Sequence, residues 1–69
     1  MFPRIRYLRE DADLTQTQIS KQLNISQRAY SHYENGTRDI PINIIISIAD
    51  FYQVSVDYIL ERTNRKELL

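Results

Sequence analysis

The sequence predicts an all-α fold, a compact bundle of five short helices, on three observations. Apolar residues recur at three- and four-residue spacing in short runs, and Thr or Ser stands ahead of three of those runs. The 69 residues hold one glycine and two prolines, with 42% hydrophobic residues, the balance of a globular helical chain. The length sets one domain with a core of marginal size.

Pro3 suits a first helical position, and Arg4–Glu10 follows with Ile5 and Leu8 on one stripe and Phe2 near its start. This helix is expected to end near Glu10–Ala12, ahead of an acidic turn. Thr15 reads as an N-cap, with Gln18 three residues later completing a capping box. The second helix then spans about 16–23, with Ile19 and Leu23 as its buried pair. Asn24 tolerates the left-handed conformation that a tight turn needs, Ile25 plugs that turn, and Ser26 caps a third helix over 27–34. Asn35-Gly36 ends it with two residue types that accept positive φ. Pro41 opens a fourth helix over 41–52, expected to bury Ile42, Ile45, Ile48, Ala49 and Tyr52. Gln53-Val54 makes the next turn, and Ser55 caps a last helix over 56–61 with Ile59 and Leu60 inward. The domain is therefore 1–62, and 63–69 is expected to be a frayed tail.

Composition excludes several classes. The chain has no cysteine, so neither a disulfide framework nor a thiolate metal site is available, and a single histidine makes a metal site improbable. The start, MFPRIRYLRE, is charged after two residues and fits neither a signal peptide nor an anchor. The absence of cysteine fits a reducing cytoplasm, the expected location. No cofactor, small-molecule ligand or membrane partner is expected. The acids at Glu10, Asp11 and Asp13 form a turn and no poised catalytic pair, so an enzyme is disfavoured. Formal net charge is zero, but between Leu14 and Arg38 the sole acid is Glu34 against Lys21, Arg28 and Arg38. That segment is weakly basic, which implies modest non-specific affinity for a polyanion.

The third helix is polar on one side. Gln27, Arg28, Ser31 and His32 point one way, while Ala29, Tyr30 and Tyr33 point the other. Such a face suits a groove lined with hydrogen-bonding edges, and the major groove of double-stranded DNA is the commonest one. Gln pairs bidentately with adenine and Arg with guanine, each for about 1–3 kcal/mol of discrimination. The bland alternative is a solvated surface, which the face alone does not exclude.

The combination of features is more specific. Thr15-Gln16 opens the second helix, and Asn24-Ile25 forms the turn. Tyr33-Glu34-Asn35-Gly36 closes the third helix, and Ile48-Ala49 precedes Val54-Ser55-Val56-Asp57. Over about residues 4–62 the chain resembles the DNA-binding domain of the Xre/Cro/C1 family, a lambda-repressor-like domain containing a helix-turn-helix. Ser20 and Tyr30 depart from the common pattern, where Ala and a smaller aliphatic are usual.

The resemblance implies base reading by Gln27, Arg28 and His32, with Ser31 and Ser26 at the margin. It implies phosphate contacts by Gln16, with Thr15, Asn35, Thr37, Arg38 and Lys21 as further candidates. On that basis Gln16→Ala is expected to weaken all sequences about equally. The resemblance further implies a partly buried salt bridge between Arg9 and Glu34.

Ile44, Ile46, Phe51, Val56 and Tyr58 are more apolar residues than one small core is expected to absorb. Val56 and Tyr58 match positions that meet across a two-fold axis in similar repressors, with Pro41 and Ile44 nearby. A homodimer is therefore expected. The resulting expectation is a sequence-specific transcriptional regulator, a repressor on a palindromic operator. The rival is a protein-interaction module of antitoxin or anti-repressor type using the fourth and fifth helices.

Overall fold

The computed structural model describes residues 2–63. Five helices follow one another: α1 Pro3–Asp11, α2 Gln16–Gln22, α3 Gln27–Asn35, α4 Ile42–Tyr52 and α5 Val56–Ile59. The expectation for the tail falls, Thr63 apart, outside the described residues. No helix among the described residues is long and apolar enough to cross a membrane.

Local side-chain chemistry starts three of the five helices. Thr15 and Gln18 form a reciprocal capping box: the Gln18 amide donates to Thr15 Oγ1 (3.1 Å) and the Thr15 amide to Gln18 Oε1 (2.8 Å). Ser26 Oγ accepts from the Ala29 amide at 3.0 Å, and Ser55 Oγ from the Tyr58 amide at 3.0 Å. Pro3 opens α1 without a side-chain cap. Pro41 holds the N-cap position of α4, one residue earlier than expected.

All five helices stop in the same way. A left-handed residue follows each one, at Asp13, Asn24, Gly36, Gln53 and Glu61, with φ between 57° and 79°. The next amide then reaches back five residues. Leu14 donates to Arg9 O, Ile25 to Ser20 O, Thr37 to His32 O, Val54 to Ala49 O and Arg62 to Asp57 O, all at 2.8–3.0 Å. This is the Schellman closure, which satisfies carbonyls otherwise left bare at a helix end. Leu14, Ile25 and Val54 come immediately after the turn and tuck toward the core.

The core draws on every helix. Ile5, Ile19 and Ile59 are fully enclosed, and Leu8, Leu23, Tyr30, Ile44, Ile45, Ile48, Ala49, Val54 and Tyr58 complete it. Ser20 is buried with its Oγ donating to Thr17 O at 2.9 Å, so a small hydroxyl fits inside the bundle without an orphaned proton.

Three expectations on α4 and α5 need correction. Ile42, expected inside, is 64% exposed. The inward stripe is centred between Ile48 and Tyr52, and at 100° per residue Ile42 falls roughly 90° off that centre. Ile44, counted as surplus and as a dimer contact, is buried in the protomer, and so is Tyr58. Val56 and Leu60 are half-covered, leaving Ile42, Ile46 and Phe51 as the open apolar residues of α4.

Arg4, given no role from sequence, ties the two ends of the domain together. Its Nη1 donates to Tyr58 O (2.8 Å) and Thr63 O (2.7 Å). The guanidinium lies 4.2 Å from the centre of the Tyr58 ring, and its Nε is 3.9 Å from Glu61.

Candidate nucleic-acid interface

The α2–turn–α3 unit places α3 with one side in the bundle and one side out. Tyr30 and Glu34 are buried at 1% and 2% exposure, whereas Gln27 and Arg28 are exposed. Ser31 and His32 lie half-covered on the border between those sides. Arg28 makes no hydrogen bond or ion pair among the described residues, so its planar fork is available to a ligand.

Beneath this face lies a buried ionic hub. Glu34 receives Arg9 in a two-pronged pair, Nε to Oε2 at 2.9 Å and Nη2 to Oε1 at 3.0 Å. Oε1 also accepts from Arg6 Nε at 3.0 Å and from Gln16 Nε2 at 3.3 Å. Arg9 Nη1 continues to Leu14 O at 2.8 Å, locking the turn after α1. Burial alone pushes the Glu34 carboxyl up, but donors led by Arg9 outweigh it and hold its pKa down at about 2. The pair with Glu34 likewise raises the Arg9 pKa. Tyr30 sits against the same carboxylate and favours its charge, although its hydroxyl meets hydrogen-bond geometry with no group among the described residues. Burial, then Glu34, drives the Tyr30 pKa well upward, and burial takes that of Tyr52 to about 12. Both hydroxyls therefore stay protonated and neutral beside the ion pair.

The hub reaches the outer face by two routes. Gln16 Oε1 accepts from Gln27 Nε2 at 3.0 Å, joining Glu34, Gln16 and Gln27 in one line. Arg6 Nη2 donates to Asn35 Oδ1 at 3.1 Å, and Asn35 Nδ2 approaches Ser31 Oγ at 3.4 Å. Two outward residues of α3, Gln27 and Ser31, are thus braced from below. His32 is braced separately, its Nδ1 lying 2.7 Å from Thr37 Oγ1.

The remaining sequence candidates lie on α2 and its cap, at the end of α3 and just after it. Lys21, Thr37 and Arg38 are exposed, and Asn35 is exposed while tied to Arg6 and Ser31. The Thr15 oxygen is occupied by its cap. Sequence reasoning missed Arg6, whose spacing of three from Arg9 puts both on one side of α1 and was the available signal. It also missed the placement of the Tyr30 and Tyr52 hydroxyls near the ion pair, which no local pattern encodes.

A helix-turn-helix family model matches residues 5–59. The chain is 36% identical over 76 residues to an uncharacterized HTH-type transcriptional regulator, YobD, of Bacillus subtilis strain 168, covering 96% of this chain and 68% of that protein. It is 33% identical over 57 residues to the HTH-type transcriptional regulator ImmR of the same organism, covering 83% of this chain and 45% of that one. It is also 38% identical over 51 residues to the antitoxin PezA of Streptococcus pneumoniae serotype 4, covering 74% of this chain and 32% of that protein. The chain therefore spans about two thirds of the first relative and under half of the other two. No solved structure matches the chain with significance.

Proposed function

This chain belongs to the Xre/Cro/C1-type helix-turn-helix family, and from that premise we propose that it is a sequence-specific, double-stranded DNA-binding transcriptional regulator. The observation that carries the reading is the outward side of α3, open at Gln27 and Arg28 and braced from beneath by the Glu34 hub. A reading helix has to hold donors and acceptors in fixed positions before the duplex arrives, since ordering them on contact costs affinity.

In this reading α3 enters the major groove. Gln27, Arg28, Ser31 and His32 face base edges, and Thr15, Gln16, Lys21, Asn35, Thr37 and Arg38 lie along the backbone. The bond from Gln27 to Gln16 changes one expectation. Removing the Gln16 amide frees Gln27, so Gln16→Ala weakens binding and also blurs the base that Gln27 reads.

The regulator acts as a homodimer and represses by occupying a palindromic operator, with half-sites about one helical turn apart. Pro41 and the uncovered part of Val56 supply the apolar contacts, and Ile44 and Tyr58 only their edges. It has no catalytic role.

Selection of bound sequences from random duplex DNA, followed by gel shift, tests the reading. The expected result is a two-fold symmetric site, with Arg28→Ala losing preference at one base pair per half-site. Failure to enrich any duplex refutes it. The relative named as an antitoxin, together with exposed Ile42, Ile46 and Phe51, favours a second reading in which α4 and α5 dock a partner protein. Consistent co-purification of one second chain, without duplex enrichment, would select it.

A further inference from the structure

The third helix ends at Gly36, whose left-handed φ of 79° only glycine adopts without strain. That turn brings Thr37 back over the last turn of α3, its amide donating to His32 O at 3.0 Å. The same fold-back puts Thr37 Oγ1 2.7 Å from His32 Nδ1 and 3.3 Å from His32 O. The orientation of the ring follows from the shorter distance. Turning the imidazole over would place Cδ2 at that point, well inside the roughly 3.3 Å at which carbon and oxygen make contact.

Proton counting then favours one tautomer, since His32 O, which also accepts from the Gly36 and Thr37 amides, draws the threonine proton. The threonine hydroxyl has one proton, and the His32 carbonyl can only accept. Both contacts become hydrogen bonds only when Thr37 donates to the carbonyl and Nδ1–H donates to Thr37. In that arrangement Nδ1 carries the proton in the neutral ring, and Nε2, on the far edge, presents a lone pair. Nε2 has no hydrogen-bond partner among the described residues, and His32 lies on the border of the open side of α3.

Resting on the DNA-binding reading above, we propose that Thr37 is a positioning residue that holds His32 as an acceptor, so that His32 selects a base presenting an exocyclic amino group. In the major groove those are adenine N6 and cytosine N4, while guanine offers acceptors there and is rejected. Thr37 thus acts through His32, in place of the phosphate contact first assigned to it.

Two measurements test this, both in mildly alkaline buffer. Long-range proton–nitrogen correlation spectra of the free protein are expected to show Nδ1 protonated and Nε2 bare. Thr37→Val should shift the ring toward the opposite tautomer, and Thr37→Ser should restore the wild-type spectrum. Sequence selection with the same proteins is expected to show about fivefold weaker preference for adenine or cytosine at one position in Thr37→Val, the worth of one hydrogen bond. Thr37→Ser should recover that preference. A free protein with the proton on Nε2 overturns the proposal, as does Thr37→Val binding that falls equally on all sequences. Those outcomes leave the regulator reading standing. A protein that selects no duplex overturns that reading and base selection by His32 with it, whatever the spectra show.

Discussion

Replacing Glu34 by Gln keeps the shape of the side chain and removes the charge that Arg6, Arg9 and Gln16 converge on. The carboxyl titrates at about 2 in the fold against an ordinary value of 4.5. At about 1.4 kcal/mol per pH unit, that gap is worth about 3 kcal/mol of stability. Because the folded value is the lower one, the contribution is complete above about pH 4.5. It drains away as pH falls toward 2, where Glu34 takes up its proton in the folded protein. A domain of this size has a total stability of about 3–10 kcal/mol, so the loss removes from about a third to nearly all of it at neutral pH. Urea unfolding followed by circular dichroism, at steps from pH 7 to pH 2, measures it. Glu34→Gln should be about 3 kcal/mol less stable at pH 7, and the two proteins should converge near pH 2. A gap that stays constant across the range would refute the assignment of that stability to the ionised carboxylate.

Three more outcomes can be checked with similar means. Gly36→Ala forces a side chain into the left-handed region, which costs about 1–2 kcal/mol, and a thermal melt should register the drop. Arg4→Ala removes two charged bonds to carbonyls and the contact with the Tyr58 ring. It should cost about 2 kcal/mol, with amide exchange rising first around α5. Val56→Asp should leave the helical signal intact while lowering the sedimentation coefficient toward that of a monomer. A wild-type protein already monomeric at DNA-binding concentrations refutes the dimer.

The elements that were legible in the sequence are those decided by neighbours along the chain. Thr15 with Gln18, Asn24 and Ser26 mark the start of α2, the turn and the start of α3 within a dozen residues, because caps and left-handed turns are local chemistry. Gln53 and Glu61 turn left-handed without any sign in their residue types, whereas Asp13 is of a type that tolerates the turn. At Asp13 and Gln53, burial of the following Leu14 and Val54 and the five-residue hydrogen bond outweigh a modest backbone cost. Ile42 was misjudged because its spacing of three from Ile45 fits a helical stripe as well as the spacing of four between Ile44 and Ile48 does, and packing takes the second. The Glu34 hub was read only in part. Arg6 is 28 residues from Glu34, and two α1 arginines converging on one carboxylate is a fact of packing.

The five matching helix ends have a mechanical consequence. The chain changes direction at hard corners, so the angular phase of each rod is handed on to the next without slack. A single residue inserted between Leu23 and Ser26 would break the bond from the Ile25 amide to Ser20 O that fixes this corner. Arg28 on the open side and Tyr30 in the core would then lose the register with α2 that this corner sets. Substitutions at these corners trade fractions of the domain's stability, whereas insertions and deletions there break the alignment between surface and core at once.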